Sequence, residues 1–144
     1  MNPRVFVIRF FAAMIAILLL DGLWLGLAMG GFYRERLGSL VLQDASGGFD
    51  PRPLPTLLVY LLIPLGIALF TRPAGGPKPV PSLIRGALFG LVLYGTYDMT
   101  NWSLLAGWDG TIALVDTLWG VVLCGSASIV ASLSETALSR RVGR

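Results

Sequence analysis

Three aspartates stand inside long apolar stretches of this sequence: Asp21, Asp98 and Asp116. A charged side chain at the centre of a membrane helix costs roughly 2.5–3.5 kcal/mol on insertion scales. Three together would cost on the order of 9 kcal/mol, comparable with the whole stability of a small domain. Protonation, hydrogen bonds inside a bundle, or access to water must offset that. Carboxylates sharing a dry pocket also share protons, which suits general acid–base work on a lipid headgroup or acyl chain, or the handling of a proton or cation. Asp98 is the candidate for the central catalytic acid or base, with Asp21 and Asp116 tuning it.

The neighbours of these acids extend the pattern. Tyr94, Asp98 and Asn101 recur at helical spacing, with Tyr97 and Thr100 flanking them, so one helix face is polar and must turn inward. Tyr94, Tyr97 and Asn101 are therefore candidate binding residues. Each acid also has an indole within four residues on its own helix: Trp24 after Asp21, Trp102 after Asp98 and Trp119 after Asp116. Spacings of three and four place acid and indole on a shared face, which adds Trp24, Trp102 and Trp119 to the binding set. Trp24, Trp102 and Trp108 also suit an interfacial aromatic belt, whereas Trp119 points deeper.

Other chemistry is harder to build. The chain has no histidine, and no Ser-His-Asp set, nucleotide loop or metal-ligand cluster can be assembled, so neither metal nor cofactor is expected. Cys124, the single cysteine, cannot form an internal disulfide and reads as a small packing residue. The net charge is +3, but the basic residues flank apolar runs rather than forming a stripe, which argues against nucleic acid.

The elements that position the acids follow from composition. Of 144 residues 55% are hydrophobic and 13% charged, against about 25% charged in a soluble domain. The expected fold is all-α: one transmembrane domain over residues 1–144, an integral membrane four-helix bundle with spans near 5–30, 54–71, 83–106 and 111–133. The first run exceeds the roughly 7–15 residues of a signal-peptide core, so it reads as a true span. Pro64 interrupts the second and predicts a kink. Residues 31–53 form a loop whose Leu37, Leu40, Val41 and Leu42 suit a short helix on the membrane surface. Residues 71–82 are a Pro/Gly linker, and Gly107-Trp108-Asp109-Gly110 is a tight turn that makes the last two spans antiparallel neighbours.

Charge sets the direction. Arg4, Arg9, Arg72, Lys78, Arg85, Arg140, Arg141 and Arg144 fall on the side of the termini, and Arg34, Arg36 and Arg52 on the other. Both termini are expected in the cytoplasm. Asp21 and Asp98 then lie roughly 24 and 22 Å from the cytoplasmic boundary, and Asp116 roughly 8 Å from the outer one. The three acids share one layer in the outer third of the membrane. Gly22, Gly26 and Gly30, and likewise Gly86 and Gly90, repeat every four residues and predict close helix packing.

Four phrases together carry a resemblance: Leu20-Asp21-Gly22-Leu23-Trp24-Leu25-Gly26, Gly31-Phe32-Tyr33-Arg34, Tyr94-Gly95-Thr96-Tyr97-Asp98-Met99-Thr100-Asn101 and Asp116-Thr117-Leu118-Trp119-Gly120. The chain resembles, over most of its length, a family of small four-span bacterial membrane proteins known only as a domain of unknown function. The resemblance implies a bacterial inner-membrane location and a four-helix fold, and supplies no reaction.

Several readings of the acid layer stay open. It can fix helix register through interhelical hydrogen bonds, with Arg34 or Arg36 pairing with the acids. It can form a lipid or small-molecule site near the outer leaflet. The glycine repeats and small size also suit a non-enzymatic accessory or assembly subunit of a larger membrane complex, or a homo-oligomer. A dimeric, proton-coupled or small-solute transporter is a weaker alternative, hinted at by the two Asp-x-Leu-Trp phrases. Membrane lipids are the expected surroundings in every case.

Overall fold

The computed structural model describes residues 1–142 and is helical throughout its long elements: α1 (Pro3–Leu23), α2 (Gly30–Leu37), α3 (Pro53–Phe70), α4 (Pro79–Leu104) and α5 (Gly110–Val142). Arg144, counted above with the basic side, lies outside the described residues. Three helices open on proline, which needs no backbone donor in a first turn: Pro3, Pro53 and Pro79. The Asn2 side chain caps α1 by accepting from Arg4 N at 2.9 Å. Asp109 caps α5, its Oδ1 accepting from Thr111 N at 2.8 Å and Ile112 N at 2.9 Å.

By length and composition, three helices can cross a membrane: Pro3–Ala28, Pro53–Phe70 and Gly110–Arg141. At 26 residues α4 is long enough, but its inward polar face and Arg85 make it less apolar. Helix α5 packs along α4 and against α1, α1 packs on α3, and Phe70 of α3 meets Phe89 of α4 at 6.2 Å between ring centroids, so the four long helices close around a shared interior. Apolar side chains fill it, the alanines and Cys124 alternating with larger Ile and Leu: Ala13, Ile17, Ile67, Leu123, Cys124, Ala127 and Ala131. Cys124 is the packing residue expected of it.

Two local features differ from the sequence reading. Helix α1 ends in a π turn over Trp24–Ala28, closed by Met29 N donating to Trp24 O at 2.7 Å, and the following short helix is Gly30–Leu37, earlier than the expected leucine-rich stretch. Leu40 and Leu42 stay exposed in the loop. At Gly30 the Leu25 carbonyl comes so close that a Cβ would collide with it, so glycine permits the fold-back from α1 into α2. The second difference is that α5 continues well past Leu133, and its last turns carry a buried acid. The linker turns at Gly75 and Gly76, with φ of +83° and +106°, conformations that favour glycine.

The glycine repeats divide. Gly86 and Gly90 are packed: a Cβ at Gly90 would collide with the Gly120 backbone, and one at Gly86 with Ser128 and the Cys124 carbonyl. Gly22 and Gly26 face open space. Overpacking a close contact costs about 1–3 kcal/mol, so Gly90→Val should destabilise the α4–α5 pair by at least that much. Gly95→Ala, whose Cβ would meet Thr117 at an ordinary 3.7 Å, is the control. Unfolding in detergent should separate the two variants, and equal stability would show that the glycine contact is slack.

Candidate functional site

The carboxylates gather at the end of the molecule opposite the termini, but their partners cross between helices. Asp21 Oδ1 accepts from Trp119 Nε1 at 2.9 Å, so the indole of the third acid's phrase serves the first acid. The Trp24 and Trp119 rings stack, with centroids 4.2 Å apart and planes 2° apart, a contact that contributes about 0.5–1.5 kcal/mol beyond burial. Trp24 Nε1 reaches Tyr33 Oη at 3.4 Å, and Tyr33 donates to Asp116 Oδ1 at 2.7 Å. Burial, then the charge of Asp116 and the hydrogen bond to it, hold the Tyr33 hydroxyl well above the ordinary phenol range, so it remains a donor. The π turn and the fold-back into α2 are what bring Tyr33 to this position.

Asp98 is fully buried on α4. Its Oδ2 accepts from Thr117 Oγ1 of α5 at 3.1 Å. Its Oδ1 faces Trp108 Nε1 of the α4–α5 connection, and the two fall just short of hydrogen-bond geometry with each other. Asp116 lies within electrostatic range of both Asp21 and Asp98 and so stands between them. Among the described residues no group of three or more Cys, Asp or Glu side chains is placed to hold a metal ion.

The remaining candidates fall at different distances from the cluster. Tyr94 packs over Gly120 beside the core, close enough that a Cβ on that glycine would strike its ring. Tyr97 is half exposed and meets Trp108 edge-on at 5.6 Å. Asn101 is half-buried one turn from Asp98. Trp102 does not share the buried face of Asp98: it is exposed and covers Gly110 at the start of α5. Arg34 and Arg36 do not pair with the three acids. Arg34 sits over the Phe49 ring, and Arg36 bonds Asp109 at 2.9 Å, tying α2 to the α4–α5 connection.

That tether has a pH signature. The Ile112 N–H, the Arg36 guanidinium and the Thr111 N–H hold the Asp109 carboxyl below the usual carboxylate range. A depressed folded-state pKa contributes stability above the unfolded value, about 3.9, and that stability is lost as pH falls through the folded value. The protection of the Thr111 and Ile112 amides from hydrogen exchange, taken relative to the intrinsic rate at each pH, should therefore fall below about pH 4. In Asp109→Asn this acid-dependent step should vanish; its persistence would assign it to another group.

Tyr33, Thr117 and Trp108 extend the site beyond the residues singled out from sequence, and a second polar centre went unrecognised there. At the end holding the termini, Glu135 of α5 is buried and accepts from Arg9 Nη1 at 3.1 Å, Arg72 Nε at 2.9 Å and Arg72 Nη2 at 2.8 Å. Arg9, fully buried, also donates to Thr71 Oγ1 at 3.2 Å. Glu135 thus joins α1, α5 and the residues just after α3.

Charged groups inside and leucine outside invert the arrangement of a water-soluble protein. Leu27, Leu104, Val92 and Phe70 are among the most exposed side chains, whereas Arg9, Asp98 and Glu135 are sealed in. The fold is therefore that of an integral membrane protein, with lipid as its solvent. The chain belongs to DUF2177, a family described as predicted membrane proteins, whose model matches residues 6–133. No curated protein and no solved structure matches it.

Proposed function

We propose that this is a single-domain, four-span protein of the bacterial inner membrane with both termini cytoplasmic, and that its carboxylate cluster binds a small polar molecule or a lipid headgroup near the outer leaflet. The fourth span is α4: at 1.5 Å per residue its 26 residues reach about 39 Å, and Ile84, Leu88, Leu91 and Val92 give it an apolar outer face. The excess of Lys and Arg at the end with the termini supports the orientation.

One observation carries the binding reading. Asp98 Oδ1 and Trp108 Nε1 are both buried, face one another, and make no hydrogen bond of full geometry. A buried donor and acceptor held just short of one another leave bonding capacity unused, and a ligand that donates to the carboxylate and accepts from the indole would satisfy both. A hydroxyl or amide does both. Asp98 would then be the acid or base of any proton transfer, with Thr117 holding its second oxygen and Tyr33 fixing Asp116. The test is a strain deleted for the gene: Asp98→Asn should fail to restore its phenotype, and a small molecule or lipid co-released with the wild-type protein in native mass spectrometry should be missing from the variant. Full complementation by Asp98→Asn would remove the basis for this reading.

A second reading rests on Gly22 and Gly26. They meet nothing within this chain, and small residues four apart are what a partner helix packs against. A homo-oligomer or a larger membrane complex would use that face, and Gly22→Leu with Gly26→Leu would then shift the protein to monomer in mild detergent.

A further inference from the structure

On the outer wall between α1 and α5, near the end holding the termini, lies a groove of about 380 Å³. Ile8, Phe11, Ala12 and Ile15 of α1 and Val130 and Ser134 of α5 line it. It is separate from the interior, because α1 turns Arg9, Ala13 and Ile17 inward instead. From Ile8 to Ile15 it follows α1 for about 10 Å, and its apolar wall suits a hydrocarbon chain.

The ends of the same two stripes carry charge. Arg4 precedes Ile8 by four residues and Arg141 follows Ser134 by seven, and both are exposed. Those intervals keep each arginine on the face of its helix that lines the groove. The Arg9–Glu135 contact at 3.1 Å fixes the register of α1 against α5. Arg4 lies five residues beyond Arg9 and Arg141 six beyond Glu135, so both stand about 7–9 Å past that pair, at one level. Among the described residues at this end the one acid is Glu135, and its carboxylate is already engaged by Arg9 and Arg72. The mouth of an apolar groove is therefore flanked by two cations, and among the described residues no second carboxylate stands beside them.

We propose that this groove and its two arginines bind an anionic phospholipid from the leaflet at the termini, one acyl chain along α1 and α5 and the phosphate between Arg4 and Arg141. The site lies at the opposite end from the carboxylate cluster and stands or falls apart from it. Native mass spectrometry of the full chain, titrated with phosphatidylglycerol and with phosphatidylcholine of the same acyl chains, tests it. The wild type should retain phosphatidylglycerol in preference. Arg4→Gln and Arg141→Gln, both on exposed positions that folding does not need, should each lower that retention by about five-fold. Ala12→Phe, which fills the groove, should lower retention of both lipids. Equal retention of the two lipids by the wild type, or unchanged phosphatidylglycerol binding in the double arginine variant, would overturn the proposal. So would undiminished binding in Ala12→Phe, which would leave the acyl chain no seat.

Discussion

Glutamine in place of Glu135 should destabilise the protein by about 3–5 kcal/mol, the cost of removing one partner from a buried ion pair. Glu135 is 1% exposed and answers two guanidinium groups at once. Arg72, with 30% of its side chain exposed, can turn to solvent when the carboxylate goes. Arg9 cannot, being fully enclosed by α1, α5 and Thr71. The penalty is therefore an uncompensated charge at Arg9 and not the loss of three hydrogen bonds of ordinary strength. The double variant Arg9→Leu with Glu135→Leu separates these causes, since removing both charges together is often neutral. Its stability should return most of the way to wild type. Unfolding titrations in mixed micelles would read both, and a Glu135→Gln variant within 1 kcal/mol of wild type would falsify the view that this pair clasps α1 to α5.

Asp98→Asn should move stability in the other direction while removing ligand binding. The carboxylate is held by one hydrogen bond at 3.1 Å, and its second oxygen makes none of full geometry. Placing an aspartate at such depth costs roughly 2.5–3.5 kcal/mol, and a neutral amide of the same shape recovers part of that, about 1–2 kcal/mol. Natural sequences keep such a residue where function needs it, because a more stable choice is available at the same position. The paired outcome is the diagnostic one. A variant that gains stability and loses the co-released molecule identifies a binding group. One that loses stability instead would make Asp98 a register-fixing residue between α4 and α5, bonded through Thr117.

The three aspartates were legible because acids are conspicuous in apolar runs, and Asp116 lies within electrostatic range of both Asp21 and Asp98. The details depended on geometry that spacing does not encode. Trp119 shares a helix face with Asp116 by its interval, yet its indole crosses to Asp21 on another helix. Trp102 stands one turn from Asp98 but at the end of α4, where the helix has left the interior. Tyr33 sat in a segment read as loop, and only the π turn after Asp21 folds it back onto Asp116. Glu135 was hidden for a different reason. The stretch Ser134-Glu135-Thr136-Ala137-Leu138-Ser139-Arg140-Arg141 has the composition of a solvated tail, and the partner that buries it, Arg9, is 126 positions away.

The three helices long and apolar enough to cross a membrane are unequal, and a bilayer must accommodate them together. Helix α3, with 18 residues, is about 27 Å long, whereas α5, with 33, reaches about 50 Å. A hydrocarbon core is about 30 Å thick. Lipids beside α3 should therefore be drawn thinner, while α5 must tilt or stand clear of the surface by several turns. The molecule then acts as a wedge in the membrane plane, with a short flank and a tall one. Compressed membrane should collect on the α3 flank, and thin bilayers should suit this protein better than thick ones.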